Sequence, residues 1–306
     1  MDTRQLEYVL TLAEERSLFR AAERLFVSPS ALSQSIAKLE QSLRTKLFTR
    51  GKNGWNPTPA GNIYLDMAKE VIDLRRKAYT EISMIANQVS STLTVGITPG
   101  RGTIMFAQIF PVFNAKYPNI KISLVEDSVR AIVDQIVQGK VDLGFLTSGF
   151  DDSAVAVRHM VTERFLIVIP RSHPMAGLAD SYPYGDYATV SLSQFKDDEF
   201  MLMGHGSTLR TIEDKMFADA GFTPKVSFET SSMQTINSLS RQGFGISFVP
   251  QFYATYTDQA VYFKLDPPVS WDLLAVYRPK ARLTTPEEFL ISIARDYYKT
   301  TPYTPE

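Results

Sequence analysis

The chain has 306 residues, 44% hydrophobic and 21% charged, with a formal net charge of -1 and no cysteine. That length accommodates two or more domains with real cores, and the composition is that of an ordinary soluble protein. The missing cysteine excludes disulfides, thiol nucleophiles and thiolate metal sites; no uninterrupted apolar run reaches signal-peptide or membrane-spanning length, so the cytoplasm is the expected compartment and no membrane partner is expected.

The near-neutral total conceals a local asymmetry. Residues 20–52 hold Arg20, Arg24, Lys38, Arg44, Lys46, Arg50 and Lys52 against only Glu23 and Glu40. Local positive charge is what meets phosphate.

In chain order, Thr3 is placed to cap a helix to about Glu14, with Leu6, Val9, Leu10 and Ala13 at helical spacing. Ser17 caps the next, with Leu18, Ala21, Ala22 and Leu25 inward, and Phe26 and Val27 are expected to fill the turn. Ser28 caps a third helix with Pro29 at its first position, where a missing N–H costs nothing. Ala31, Leu32, Ile36 and Leu39 form its buried stripe and leave Ser30, Ser33, Gln34, Ser35 and Lys38 largely off it. Two short amphipathic helices joined by a tight turn make a helix-turn-helix, whose second helix enters the major groove by its N-terminal end. Ser30, Ser33 and Gln34 are the expected base contacts, Gln34 pairing bidentately with adenine, and Pro29 can touch a thymine methyl. Arg24, Lys38, Lys46, Arg50 and Lys52 are the expected phosphate contacts. A Leu47–Phe48 strand leads into a Gly- and Asn-rich hairpin, Gly51–Asn56, which reads as a wing. A helix from Thr58 or Pro59 to about Gln88 follows, long enough to serve as a dimer arm.

Strand–helix alternation begins at residue 92, and the same signals recur in a second set, which predicts two α/β lobes with parallel sheets covered on both faces. In such hinged lobes ligands sit where strands deliver their C-terminal ends to helix N-termini. Those points supply the expected effector residues: Thr98, Gly100, Arg101, Ser128, Thr147, His205, Ser207 and Ser231. Ser128, Ser207 and Ser231 also read as helix caps, and Arg101 can pair with a carboxylate or face solvent. Three scattered histidines have no metal-ligand spacing, so no metal is expected. No Gly-x-Ser-x-Gly elbow, phosphate loop or dinucleotide fingerprint occurs, so neither catalysis nor a cofactor is expected.

Over nearly its whole length the chain resembles a LysR-type transcriptional regulator. The resemblance rests on Ala21, Ala22, Leu25, Ser28, Ser30, Ala31, Ser33, Ile36, Leu39 and Glu40, continuing through Leu47, Phe48 and Arg50 to Thr58, Ala60 and Gly61. Looser matches follow: Gly96; Phe110, Pro111, Phe113, Tyr117 and Pro118; Gly139, Asp142 and Leu143; and Gly243, Gly245, Ile246, Val249 and Pro250. It implies an N-terminal winged helix-turn-helix (1–58), a linker and dimerisation helix (59–89), and a two-lobed periplasmic-binding-protein-like α/β effector domain (90–306). Lobe I takes about 90–161 and 267–300, and lobe II about 162–266. It also implies double-stranded DNA with a pseudo-palindromic promoter site, a small effector such as a carboxylate, a homodimer or dimer of dimers, RNA polymerase as a further partner, and a bacterial setting. Two positions depart from the pattern: Pro29 stands where a Gln is common, and Asn53 where a second wing Arg is common. The competing readings are an enzyme that acquired a DNA arm, and an architectural DNA binder with a degenerate sensor.

Overall fold

The computed structural model describes residues 3–51, 54–86, 91–182, 185–279 and 282–300. The chain divides into two compact units, Met1–Ser91 and Thr92–Glu306.

The first unit runs α1 (Thr3–Glu15), α2 (Leu18–Arg24), α3 (Pro29–Leu43), β1 (Phe48–Gly51), β2 (Gly54–Pro57) and α4 (Pro59–Ala86). Ser17 and Ser28 cap as their chemistry requires: each hydroxyl accepts from the backbone N–H three residues on, Arg20 and Ala31. Thr3 is the first residue of α1 rather than its cap. Leu6, Val9, Leu12, Ala21, Ala22, Leu32, Ile36 and Leu39 meet in one core, closed by Leu47, Phe48, Tyr64, Leu65 and Ala68. Phe26 and Val27 lie in the turn between α2 and α3. Val27 packs inward, but Phe26 sits at φ 55 and is 96% exposed. Its left-handed backbone, which a non-glycine residue adopts only under constraint, points the ring away from the core. Asn87 and Gln88, included in the expected linker helix, lie outside the described residues.

The second unit begins with β3 (Ser91–Ile97), α5 (Arg101–Lys116), β4 (Ile120–Glu126), α6 (Val129–Val137), β5 (Leu143–Thr147) and β6 (Ala156–Pro170). There follow β7 (Thr189–Val190), β8 (Glu199–Met203), α7 (Thr208–Ala220), β9 (Lys225–Thr230) and α8 (Met233–Arg241). It ends with β10 (Ser247–Pro250), β11 (Ala260–Leu265), β12 (Ser270–Tyr277) and α9 (Thr285–Thr300). The sheet order is β4-β3-β5-β12-β6-β11-β7, with β10 also on β6; β8 and β9 form a separate parallel pair, tied to the residues before β10 by the bridge Phe200–Ile246.

The sheets are mixed, which corrects the parallel expectation. β3 pairs β5 in parallel, but β12 runs antiparallel to both β5 and β6, and β10 and β11 run antiparallel to β6. The source is β6 itself, a 15-residue strand. Its first part pairs with β12 and its last part with β10 and β11, so one strand belongs to both lobes. Only its end, Phe165–Pro170, is a continuous apolar run; Arg158, His159, Glu163 and Arg164 interrupt the pattern before it. Each lobe has its own core: Ile132, Ile136, Val141 and Val276 in the first, and Ile167, Phe195, Phe200, Phe248 and Phe263 in the second.

Candidate nucleic-acid interface and effector cleft

With Leu32, Ile36 and Leu39 sealed in the core, the opposite side of α3 is committed to solvent. Ser30, Gln34 and Lys38, four residues apart, share one exposed line, and Pro29 stands exposed at its head. Ser33 is half-buried beside that line. Arg50 is exposed on β1, opposite Trp55 in the hairpin. Lys52 and Asn53 lie outside the described residues.

Two of the expected phosphate cations already have intramolecular partners. Arg24 Nη1 lies 2.7 Å from Glu14 and 2.9 Å from Glu15, and Lys46 Nζ lies 2.7 Å from Glu40. Lys38 and Arg50 form no ion pair among the described residues.

Glu40 fixes the wing to the recognition helix. Its carboxylate is buried and accepts from the backbone N–H of Leu47 at 2.9 Å and of Phe48 at 3.2 Å. Burial alone would raise its pKa, but Lys46 and the two N–H donors outweigh that and hold the carboxyl below its usual range. Nearby, a Cβ on Gly61 would stand 2.0 Å from the Leu47 carbonyl oxygen, so only glycine lets α4 start this close to the wing. Glu40→Ala leaves two backbone donors without their acceptor, and the expected cost is about 2–3 kcal/mol of first-unit stability. Denaturant unfolding of the variant checks it. Because the folded-state pKa is depressed, this contribution is present above the unfolded carboxylate pKa and is lost as pH falls through the lower folded value.

In the second unit, β3 delivers Thr98, Pro99 and Gly100 to α5. The helix starts at Arg101. Gly100 sits at φ 77 without a side-chain cap, and a Cβ there would stand 3.0 Å from Tyr253 Oη and 3.6 Å from Gln234 Nε2. A Cβ on Gly149, just beyond Thr147, would stand 2.7 Å from Thr208 Cγ2. Residues of lobe I and lobe II therefore face each other closely at these two glycines. Thr147 is buried at the end of β5; Ser207 caps α7, its hydroxyl accepting from Arg210 N at 3.1 Å. His205 is exposed, its Nε2 accepting from Arg210 Nη2 at 3.2 Å. Ser128 is exposed and caps α6 through Ala131 N.

Two expectations change. Ser232, not Ser231, caps α8, its hydroxyl accepting from Thr235 N at 3.2 Å; Ser231 stands one residue outside and is exposed. Arg101 does meet a carboxylate, but it is the chain's own. Arg101 is 8% exposed, with Nε 3.2 Å from Glu163 Oε2 though not aligned as a hydrogen bond. Its Cζ lies 3.9 Å from the centroid of the Phe252 ring and 4.9 Å from that of Tyr298. Glu163 also accepts from Trp271 Nε1 and from Phe252 N, both at 2.9 Å. Burial pushes the Glu163 carboxyl up, against the pull of Arg101 and these donors. This cluster ties α5, α9, β6, β12 and the loop after β10 together. Glu163, Gln234, Tyr253 and Trp271 carried no sequence signal; each acquires its place only through partners many residues away.

A family model described as "Bacterial regulatory helix-turn-helix protein, lysR family" matches residues 3–62, and one described as "LysR substrate binding domain" matches residues 86–299. The chain is 25% identical to the uncharacterized HTH-type transcriptional regulator YcgK of Bacillus subtilis (strain 168), over 98% of this chain and 96% of that protein. It is 26% identical to the transcriptional dual regulator GltC of the same organism, with the same coverage of 98% and 96%. The fold matches a full-length OxyR variant from Pseudomonas aeruginosa with a TM-score of 0.66 at 23% identity, covering 98% of this chain and 95% of that one. With an outward-facing recognition helix ahead of two α/β lobes, and with family models matching both parts, the chain belongs to the LysR family of transcriptional regulators, in which a helix-turn-helix that binds DNA is joined to an effector-controlled substrate-binding domain.

Proposed function

We propose that the chain reads a pseudo-palindromic promoter site in the bacterial cytoplasm, as a homodimer or dimer of dimers, acts there on RNA polymerase, and turns over no substrate. The observation that carries this reading is the exposed line of Ser30, Gln34 and Lys38 on a helix whose opposite side is sealed in the core, with Arg50 exposed on the wing. Pro29, Ser30, Ser33 and Gln34 read base edges; Lys38, Arg50 and Lys52 hold phosphates. Arg24 and Lys46, held by the chain's own carboxylates, contribute less. The division is residues 1–58 for DNA, 59–89 for pairing, and 90–306 for the effector, with lobe I at about 90–161 and 267–300 and lobe II at about 162–266. Ile63, Leu74, Tyr79 and Ile82 leave more than half their surface exposed along α4, which supports pairing of two such helices.

The effector is a small carboxylate held between Thr98, Gly100 and Thr147 on one side and His205, Ser207 and Ser231 on the other, with Ser128 at the rim. Gln234 and Tyr253 join this set. Arg101, committed to Glu163, positions the start of α5 and leaves the carboxylate to backbone N–H groups there. Occupancy favours one lobe arrangement over the other, and that difference resets DNA binding.

Binding of the purified protein to its own promoter region tests this. Gln34→Ala is expected to weaken specific binding by about 1–3 kcal/mol and to relax preference at one base pair. Arg50→Ala is expected to weaken binding to all duplexes alike and to reduce the salt slope by about 1. Equal affinity of the wild-type protein for promoter and random duplex at every salt concentration would refute the reading.

A further inference from the structure

A cavity of roughly 340 Å³ lies in lobe II. It opens where β6 ends and β11 begins, at the pair Pro170–Ala260. Glu163, at the crossing of the lobes, lies seven residues earlier on β6, a separation of about 23 Å at roughly 3.3 Å per residue. None of the residues that line the cavity belongs to the cleft set described above, although Tyr187 and Tyr262 pack in the same cluster as Tyr253. Its volume falls within the range of small-molecule pockets, roughly 300–1,000 Å³.

Its lining is aromatic and acidic. Tyr187 and Tyr262 are buried at the cavity wall, with ring centroids 6.0 Å apart and planes at 56°. Tyr182 and Tyr256 are exposed and complete the aromatic surface. Three carboxylates, those of Asp180, Asp186 and Asp258, line it against a single cation, Arg171. Arg171 is paired with Asp180, and Lys264, outside the lining, reaches Asp186 at 2.9 Å. Asp258 carries no ion pair among the described residues. An anion would meet net negative charge here. An organic cation would meet tyrosine side chains and an uncompensated carboxylate.

We infer that this cavity is a second ligand site, distinct from the cleft between the lobes, and that it takes a small organic ammonium ion with a flat apolar body. The aromatic walls bury the body and Asp258 receives the charge.

Calorimetric titration of the full-length protein at pH 7 with benzylammonium, and with benzyl alcohol and benzoate as its neutral and anionic counterparts, tests the inference. Benzylammonium is expected to bind about tenfold tighter than benzyl alcohol, with benzoate weakest. Asp258→Asn and Tyr256→Ala, both at exposed positions, are expected to weaken benzylammonium about five- to tenfold while leaving thermal unfolding unchanged. The inference is overturned if no binding heat appears at ~10 mM benzylammonium, or if benzyl alcohol or benzoate binds as tightly. It is equally overturned if both variants titrate like the wild type, or if Thr98→Val weakens binding as much, since that places the ligand in the cleft.

Discussion

Glu163→Ala is expected to destabilise the second unit by about 3–5 kcal/mol, because removing one member of a buried ion pair strands the other. Arg101 is the residue stranded: it is 8% exposed and lies between the Phe252 and Tyr298 rings, where water cannot replace the lost carboxylate. Trp271 Nε1 and Phe252 N lose their acceptor in the same step. Chemical denaturation of wild type and variant measures the difference as a shift in midpoint. A double variant, Arg101→Leu with Glu163→Leu, removes both charges and is expected to recover most of the loss, since a buried pair contributes less than its half-broken form costs. A single-variant effect below about 1 kcal/mol would show that the carboxylate is not bearing this load.

Glu213→Gln is expected to do the opposite and stabilise the protein above neutral pH. Glu213 is completely buried on α7, and burial pushes its carboxyl up to about 8, while Met203 N–H at 3.0 Å and the charge of Arg210 pull it down. Arg210 itself is clamped between Asp214, Glu229, His205 and the Met203 carbonyl, and the charges that act on Glu213 are those of Arg210, Asp214 and Glu229. In the unfolded chain the carboxyl ionises near the ordinary 4.5, and in the folded chain only near 8. Between those values the unfolded state has released a proton that the folded state retains, so stability falls as pH rises through the window and levels off above it. Holding the proton from 4.5 up to about 8 sets a ceiling of roughly 5 kcal/mol on the effect. Glutamine keeps an oxygen for Met203 N–H and has nothing to ionise. Unfolding measured at pH 5 and pH 8 should show the wild type losing several kcal/mol across that interval and the variant little; curves that run parallel would contradict the assignment.

Local chemistry made much of the first unit legible in the sequence. Ser17 and Ser28 cap through contacts three residues away, and Leu32, Ile36 and Leu39 define the buried side of α3 by spacing alone. The exposed line of Ser30, Gln34 and Lys38 follows from the same periodicity. The sensor yielded less because its decisive contacts are long-range. Arg101 and Glu163 are 62 positions apart, and neither neighbourhood reveals that both are buried together. The first part of β6 is crowded with charged residues that satisfy partners on other strands and helices, so it carries no apolar run to mark it. Between Ser231 and Ser232 the choice of cap is made by one residue's difference in where the backbone turns helical, which two adjacent serines cannot disclose. Phe26 lies in the turn, as its place between the two helices suggests, and the left-handed backbone there sends its ring outward despite its hydrophobicity.

The unbroken run of β6 through both halves of the sheet has a mechanical consequence. A door on a loose hinge swings without effort and stores nothing. A shaft gripped by ladders at both ends, as Ala156–Pro170 is by β12 on one side and β10 and β11 on the other, resists rotation along its entire length. An occupant that turned one half against the other would have to twist this strand against its ladders, and the strain so stored would be returned when the occupant left.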